Sequence, residues 1–449
     1  MTFIYPSVGR KDNQKYIKSW EMEPLVIATL AGLTPGDIEV KFYDDRLEAI
    51  PYDEPTDLVG ISVETYTAKR AYDISREFRR RGIQVVLGGY HPTLAPDEAI
   101  EHADSIVIGN AEEVWSLVIR DATNKKLRKI YKSNLPLISG TICPKRDIFK
   151  NKRYFNLSLI ETGRGCRFKC EFCSVTTFYA GNYYRRPDEE VIHEMRSTGR
   201  KTFFFVDDNI IGDVHLSKKF FKALIPEKIR WIGQCSLNVA KDEELLELLR
   251  ESGCVGLLIG FESLIKTNLS RMLKFHNDEI GSYKEYLARI RGKGIVLYAS
   301  FVLGYDHDDE ETIEETVRFC REQKIFIAAL NHLVPFPGTA LYERLRLEGK
   351  LRFKKWWLDT DYHYGDIPYI PEKVTAEKLR ELSVKARRKF YSLKSIFQRS
   401  LDFKANCRNL KMACLYFNVN FMLKKEIDQK VGLPLGGAIN AEYNNSQHE

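Results

Sequence analysis

Gly163-Arg164-Gly165-Cys166-Arg167-Phe168-Lys169-Cys170-Glu171-Phe172-Cys173 gathers three of the chain's nine cysteines into eight residues. The stretch directly follows residues 156–161, a short apolar run with the length and composition of a buried strand. Thiolates spaced four and three residues apart, in a loop at a strand end, can each take one iron of a cubane cluster and leave the fourth iron to a small molecule. A structural zinc site ordinarily closes with four ligands, often as two separated pairs. Here Cys143 and Cys235 stand alone, and no histidine is near in sequence. Arg164, Arg167 and Lys169 surround the cysteines and are expected to favour thiolate over thiol.

Downstream, strand patterns at 156–161, 202–206, 230–234, 256–260, 296–302 and 327–333 alternate with helical ones such as 187–197, 242–252 and 310–322. Six such units cannot close an eight-unit barrel. They suit an open (β/α)6 partial TIM barrel over residues 154–345, with its site at the carboxyl ends of the strands. Upstream, strands at 2–5, 38–43, 58–62, 84–88 and 105–108 enclose helices such as 66–80, where Ala71, Ile74 and Phe78 share a face. This alternation predicts a doubly wound, Rossmann-like parallel sheet over residues 1–135. The pattern breaks down at 121–153, through a basic run at 125–132, Pro136 and Pro144, which is read as leading into a linker at 136–153. Beyond 345 comes a mostly helical extension, 346–449. Its aromatic segment, Trp356, Trp357 and Tyr362 to Tyr364, is a candidate lid, and its last residues, 444–449, are expected to fray.

With 449 residues the chain has room for two or three domains, and 44% hydrophobic with 29% charged residues excludes a disordered or fibrous protein. An odd, mostly scattered set of cysteines is no disulfide framework, so the six outside the cluster are expected to be buried thiols. The formal charge of +7 is concentrated: residues 346–449 hold 20 Lys and Arg against 12 Asp and Glu. Any anionic partner therefore belongs to the tail. There Phe390, Tyr391, Phe397 and Phe403 mix with Arg387, Arg388 and Lys389, followed by an apolar run at 415–423 that ends in Lys424 and Lys425. The pattern fits a helix packed on its own barrel, an amphipathic helix on a membrane surface serving a lipid substrate, or, least expected of the three, a nucleic-acid-facing strip. Nucleic acid is not an expected partner. No leader pattern and no run of ~18 apolar residues is present, so a cytoplasmic protein is expected, peripheral to the membrane if the tail binds it.

At the cysteine loop the chain resembles the radical S-adenosylmethionine (SAM) superfamily. The resemblance implies a [4Fe-4S] cluster on Cys166, Cys170 and Cys173, chelated at its open iron by the amino and carboxylate groups of SAM. It further implies that Phe172 lies near the adenine, that Asp207, Asp208 and Asn209 meet the SAM amino group, and that Gln234 and Ser236 reach the ribose and methionine. Asp-Asp-Asn departs from the Gly-Gly-Glu common at that strand end. Gly256-Leu257-Leu258-Ile259-Gly260-Phe261-Glu262-Ser263 looks like the family's fourth-strand motif, which adds Glu262, and Pro335-Phe336-Pro337-Gly338-Thr339 looks like the loop after its sixth strand.

The amino-terminal region is similar to the cobalamin-binding half of the cobalamin-dependent subfamily, which implies corrin contacts at Ser62, Glu64, Thr65, Gly88, Gly89, His91, Gly109 and Glu112. In Asp44-Asp45-Arg46, arginine stands where many cobalamin proteins carry a cobalt-ligating histidine, so base-off cobalamin is expected. His91 is expected to be a loop hydrogen-bonder more than a cobalt ligand. The implied activity is a class B type radical SAM carbon methyltransferase with a small-molecule or lipid substrate and an electron donor such as flavodoxin or ferredoxin. A non-methylating cyclase or rearrangement enzyme is the alternative within this chemistry, and a cluster-bearing binding module is the alternative outside it. A methylthiotransferase would need a second set of cysteines near the amino terminus, and the first here is Cys143.

Overall fold

The computed structural model describes residues 1–11, 14–133, 143–278 and 282–437. Pro136 and the terminal residues expected to fray lie outside the described residues. Six parallel strands form the first sheet: β1 (Thr2–Tyr5), β2 (Lys41–Asp44), β3 (Leu58–Ser62), β4 (Gln84–Gly88), β5 (Ser105–Ile108) and β6 (Ile130–Lys132), in the order β2-β1-β3-β4-β5-β6. Every residue of β3 is buried, as a central parallel strand covered on both faces requires. Helix α1 (Ala68–Arg80) turns Ala71, Ile74 and Phe78 inward, the face read from their spacing. The strand order reverses between β1 and β3, which opens a crevice at their carboxyl ends.

Two expectations for this half are corrected. β2 starts at Lys41 because Ile38 is drawn into a turn, its N–H donating to the Pro35 carbonyl at 3.1 Å. β6 lies inside the basic run read as leading into the linker. It buries only Tyr131 between two exposed neighbours, a charged edge strand too short to show a period.

The second sheet begins at β7 (Ser158–Ile160). A short antiparallel hairpin, β8 (Gly163–Gly165) with β9 (Tyr183–Arg185), encloses the cysteine loop and helix α2 (Ser174–Tyr179). Then follow β10 (Thr202–Phe205), β11 (Arg230–Cys235), β12 (Cys254–Glu262), β13 (Val296–Leu303) and β14 (Ile327–His332). Their order, β14-β13-β12-β11-β10-β7, is parallel throughout and open between β14 and β7. Along β13 buried and partly exposed residues alternate, one set facing the helices and the other the open side of the sheet. Helix α3 (Glu310–Glu322) starts on a capping box in which Asp309 accepts from the Thr312 N–H at 2.9 Å.

The tail is helical in α4 (Ala376–Phe390), α5 (Leu393–Ser400) and α6 (Leu410–Lys430). Its aromatic segment is not a free lid. Trp356, Trp357 and Tyr362 are fully buried in one cluster with Ile61, Phe78 and Val85 of the first sheet and its helix. Trp357 Nε1 donates to Glu98 Oε1 at 2.9 Å, and Trp356 Nε1 to the Pro335 carbonyl at 2.8 Å. Large aromatic area closing a core outweighs the mobility that an exposed loop would have. Of the six remaining cysteines, Cys235, Cys254 and Cys320 are buried as expected, but Cys143 and Cys414 are exposed and Cys407 is half-buried.

Candidate active site

The carboxyl ends of the two sheets face each other. Arg164, two residues before the first clustered cysteine, sends its guanidinium to Glu112 Oε1 at 2.5 Å, beyond the end of β5, and to Glu161 at 2.8 Å. Burial opposes the charge on Arg164, and the two carboxylates restore it. Tyr90, after β4, packs on Phe178 of α2 with ring centroids 4.8 Å apart. These contacts hold the cysteine loop against the first sheet.

Between the sheets lies a cavity of about 250 Å³, walled on one side by Gly60, Ser62, Gly88, Gly89 and Gly109 and on the other by Glu161, Arg164, Phe178, Tyr179 and Val206. A second cavity, of about 560 Å³, adjoins it between β1, β7 and the tail, lined by Tyr5, Trp20, Thr65, Tyr66, Phe336 and Tyr364. Glu64 lines both and forms no ion pair among the described residues. Burial raises its carboxyl to about 7.

Across the cysteine loop, the end of β10 is tied down by its own carboxylates. Thr162 donates through Oγ1 to Asp207 Oδ1 at 2.6 Å, and the Gly165 N–H donates to Asp208 Oδ2 at 2.8 Å. Gln234 Nε2 reaches the Asp208 carbonyl at 3.1 Å, and the Ser236 N–H reaches Asn209 Oδ1 at 3.2 Å. Burial raises Asp207 to about 7 and Asp208 to about 6. Glu262 adopts a left-handed φ of 62° at an irregularity where β12 meets β13. Its Oε1 accepts from Lys274 Nζ at 2.5 Å, directly over Gly260, where a Cβ would meet that oxygen at 2.1 Å. Backbone held in a sparsely populated region persists only where surrounding contacts enforce it.

A family model described as the radical SAM superfamily matches residues 160–320, and one described as the B12 binding domain matches residues 22–119. Over 389 residues the chain is 31% identical to bacteriochlorophyllide d C-12(1)-methyltransferase of Chlorobaculum tepidum, covering 84% of each chain. The chain belongs to the cobalamin-dependent radical SAM enzymes. Hopanoid C-2 methylase of Rhodopseudomonas palustris is 28% identical over 74% of this chain and 65% of its own. Among solved structures, the cobalamin-dependent SAM radical enzyme OxsB with aqua-cobalamin bound shares the fold at a TM-score of 0.64 and 14% identity, covering 95% of this chain and 72% of the other.

The residues present fit the groups that cobalamin-dependent radical SAM enzymes carry. At Gly88 an added Cβ would meet only the Val107 Cβ, at 3.7 Å, so this glycine leaves open space on the cavity wall that a larger side chain would fill. Among the described residues no three His, Cys, Asp or Glu side chains converge on a single ion. Cys166, Cys170 and Cys173 are free thiols of one loop, a donor set that suits iron-sulfur ligation.

Several expected details change. Two of the loop's three cations are engaged elsewhere: Arg164 is committed to Glu112 and Glu161, and exposed Arg167 to Asp213 at 3.0 Å. Burial pushes Cys166 and Cys173 up and Cys170 to about 12, with Lys274 pulling Cys170 the other way. Lys274 was not legible in the sequence, since nothing around it is periodic. Glu112 lines the first cavity, but its carboxylate is taken by Arg164. His91 is fully buried away from both cavities, its Nε2 3.0 Å from both Tyr72 Oη and Glu98 Oε1. Among the described residues no histidine lines either cavity. Arg46, at the usual cobalt-ligand position, clamps Asp44 through Nε at 2.8 Å and Nη2 at 2.6 Å and holds the Trp20 carbonyl. Phe172 is half-buried against the barrel core.

Proposed function

We propose that this enzyme methylates an unactivated carbon of a bulky, largely apolar substrate held where the two cavities meet. The single observation that carries the reading is the shared wall: the glycines beyond β4 and β5 and the residues flanking the cysteine loop, Glu161, Arg164, Phe178 and Tyr179, border one space, fixed by the Arg164–Glu112 bridge. Relatives acting on a bacteriochlorophyllide and a hopanoid support the substrate class. Cys166, Cys170 and Cys173 would hold the cluster, Gln234, Ser236, Glu262 and the Asp207 to Asn209 turn would hold SAM, and Ser62, Gly88, Gly89 and Gly109 would border cobalamin. When bound, these groups supply a hydrogen-abstracting radical and a transferable methyl group.

The chain's own residues position and enclose. The Thr162–Asp207 and Gly165–Asp208 hydrogen bonds fix the β10 end to the cysteine loop. Lys274 balances Glu262, and its charge favours the Cys170 thiolate. Tyr66, Trp20, Phe336 and Tyr364 wall the second cavity with rings that keep water from a carbon radical. Reduction by a flavodoxin or ferredoxin completes the scheme.

The test is anaerobic reconstitution followed by incubation with SAM, reductant and either bacteriochlorophyllide d or a hopanoid. About four irons per chain are expected, lost when Cys166, Cys170 and Cys173 are all changed to alanine. One substrate should gain a single methyl group with matching 5′-deoxyadenosine. A product that gains a ring and no methyl group would overturn methylation in favour of cyclisation.

A further inference from the structure

Seven large apolar side chains stand exposed in one short region of the tail. Phe397 (55%), Leu401 (59%), Phe403 (72%) and Leu410 (81%) are the most open, joined by Leu393, Leu415 and Phe421. On α5, Leu393 and Phe397 lie one turn apart, with Leu401 a turn further on. On α6, Leu410, Cys414, Phe417 and Phe421 form a stripe at helical spacing. Phe397 meets Phe417 at 5.6 Å between centroids, and Phe417 stacks on Phe421 at 5.9 Å, so the two stripes make one surface.

The charge on that surface has one sign. Lys394, Lys404, Lys411, Lys424 and Lys425 are exposed and form no ion pair among the described residues. Between residues 391 and 425 the one acid is Asp402, which is buried and paired with Arg291 at 2.9 Å. The neighbouring α4 shows the contrast: its Lys378, Lys385 and Lys389 are matched to Glu310 and Glu314 of α3. A patch facing only water has no reason to combine unneutralised lysines with open phenylalanines.

We propose that α5 and α6 dock on an anionic lipid bilayer, with the apolar stripes at the boundary between headgroups and acyl chains and the lysines on the phosphates. Charge complementarity and aromatic content favour this occupant over a second copy of the chain, whose patch would bring like charges together. α6 is 21 residues, about 31 Å long, and its far end reaches the second cavity. There Lys430 Nζ donates to Ser19 Oγ at 3.0 Å and lies 5.2 Å from the ring of Trp20, which lines that cavity. Docking would therefore hold the apolar cavity near the bilayer.

The test is co-flotation of the full chain with vesicles of phosphatidylcholine alone or mixed with phosphatidylglycerol. Binding to the mixed vesicles is expected, weakened by salt. Lys411→Ala, Lys424→Ala and Lys425→Ala together should weaken it on the order of a hundredfold, about fivefold per charge. Leu401→Ser, Phe403→Ser and Leu410→Ser together should abolish it, with melting temperature and iron content unchanged because these side chains are mostly exposed. Failure of the native chain to float overturns the proposal, as does flotation that neither variant reduces. So does a dimer in light scattering that the serine variant dissociates while vesicle binding is absent.

Discussion

Replacing Trp357 by alanine empties a site that the structure fills completely. The indole is 2% exposed, packs against Trp356 and the His91 ring, and donates its N–H to Glu98, which also receives the Tyr72 hydroxyl at 3.0 Å. Loss of a buried tryptophan costs about 3–5 kcal/mol. Trp357→Phe keeps most of the ring and gives up only the hydrogen bond to a buried carboxylate, a loss of about 1.5–3 kcal/mol. Because the cluster that Trp357 completes contains Val85 and Leu87 of β4, the effect should appear in the first sheet, far away in sequence. Native-state hydrogen exchange of the β4 amides reads this directly, since sub-global opening is governed by the local core. Protection should fall by about the energies above, more for alanine than for phenylalanine. Unchanged β4 protection, together with 5′-deoxyadenosine formed in excess of product, would refute the core role and restore the aromatic segment as a lid.

Gly88→Ala should fold normally, because the added Cβ meets only the Val107 Cβ, yet bind cobalamin more weakly as measured by absorbance of the reconstituted protein. Bound cob(II)alamin in the native enzyme should show no nitrogen superhyperfine splitting in electron paramagnetic resonance, since no described histidine lines the cavities. Arg164→Met leaves Glu112 buried and unpaired and should lower stability by about 3–5 kcal/mol, whereas adding Glu112→Leu should recover much of it in a double-mutant cycle. Burial would raise Glu98, but hydrogen bonds from His91 and Trp357 hold it down at about 2. Its stabilisation is therefore complete above the ordinary glutamate value of about 4.3 and is lost as pH falls from there towards 2. Acid titration of stability should flatten in that window for Glu98→Gln.

Strands such as β3, β4 and β5 were legible because an apolar run between turn residues is a local signal, and parallel burial keeps it continuous. The cysteines were legible because a cluster loop needs its ligands close in sequence. What escaped reading depends on partners far apart along the chain. Trp357 finds Glu98 across 259 residues, Arg164 finds Glu112 across 52, and Lys274 reaches Glu262 from beyond a strand end. His91 was read as a loop residue for the same reason, since only the fold brings Tyr72 and Glu98 to its ring.

The dependence of the first sheet on Trp356, Trp357 and Tyr362 bears on how the protein is made. Residues 1–132 leave the ribosome with every strand of that sheet in hand but with a hole where the tail will sit. At about 5–20 residues per second, roughly ten to fifty seconds pass before the missing aromatics emerge. During that interval the nascent domain presents an open greasy slot, the kind of surface that chaperones bind. A fragment cut after the barrel would carry the same slot permanently. Such a fragment should be soluble only when a peptide spanning the aromatic segment is co-expressed with it.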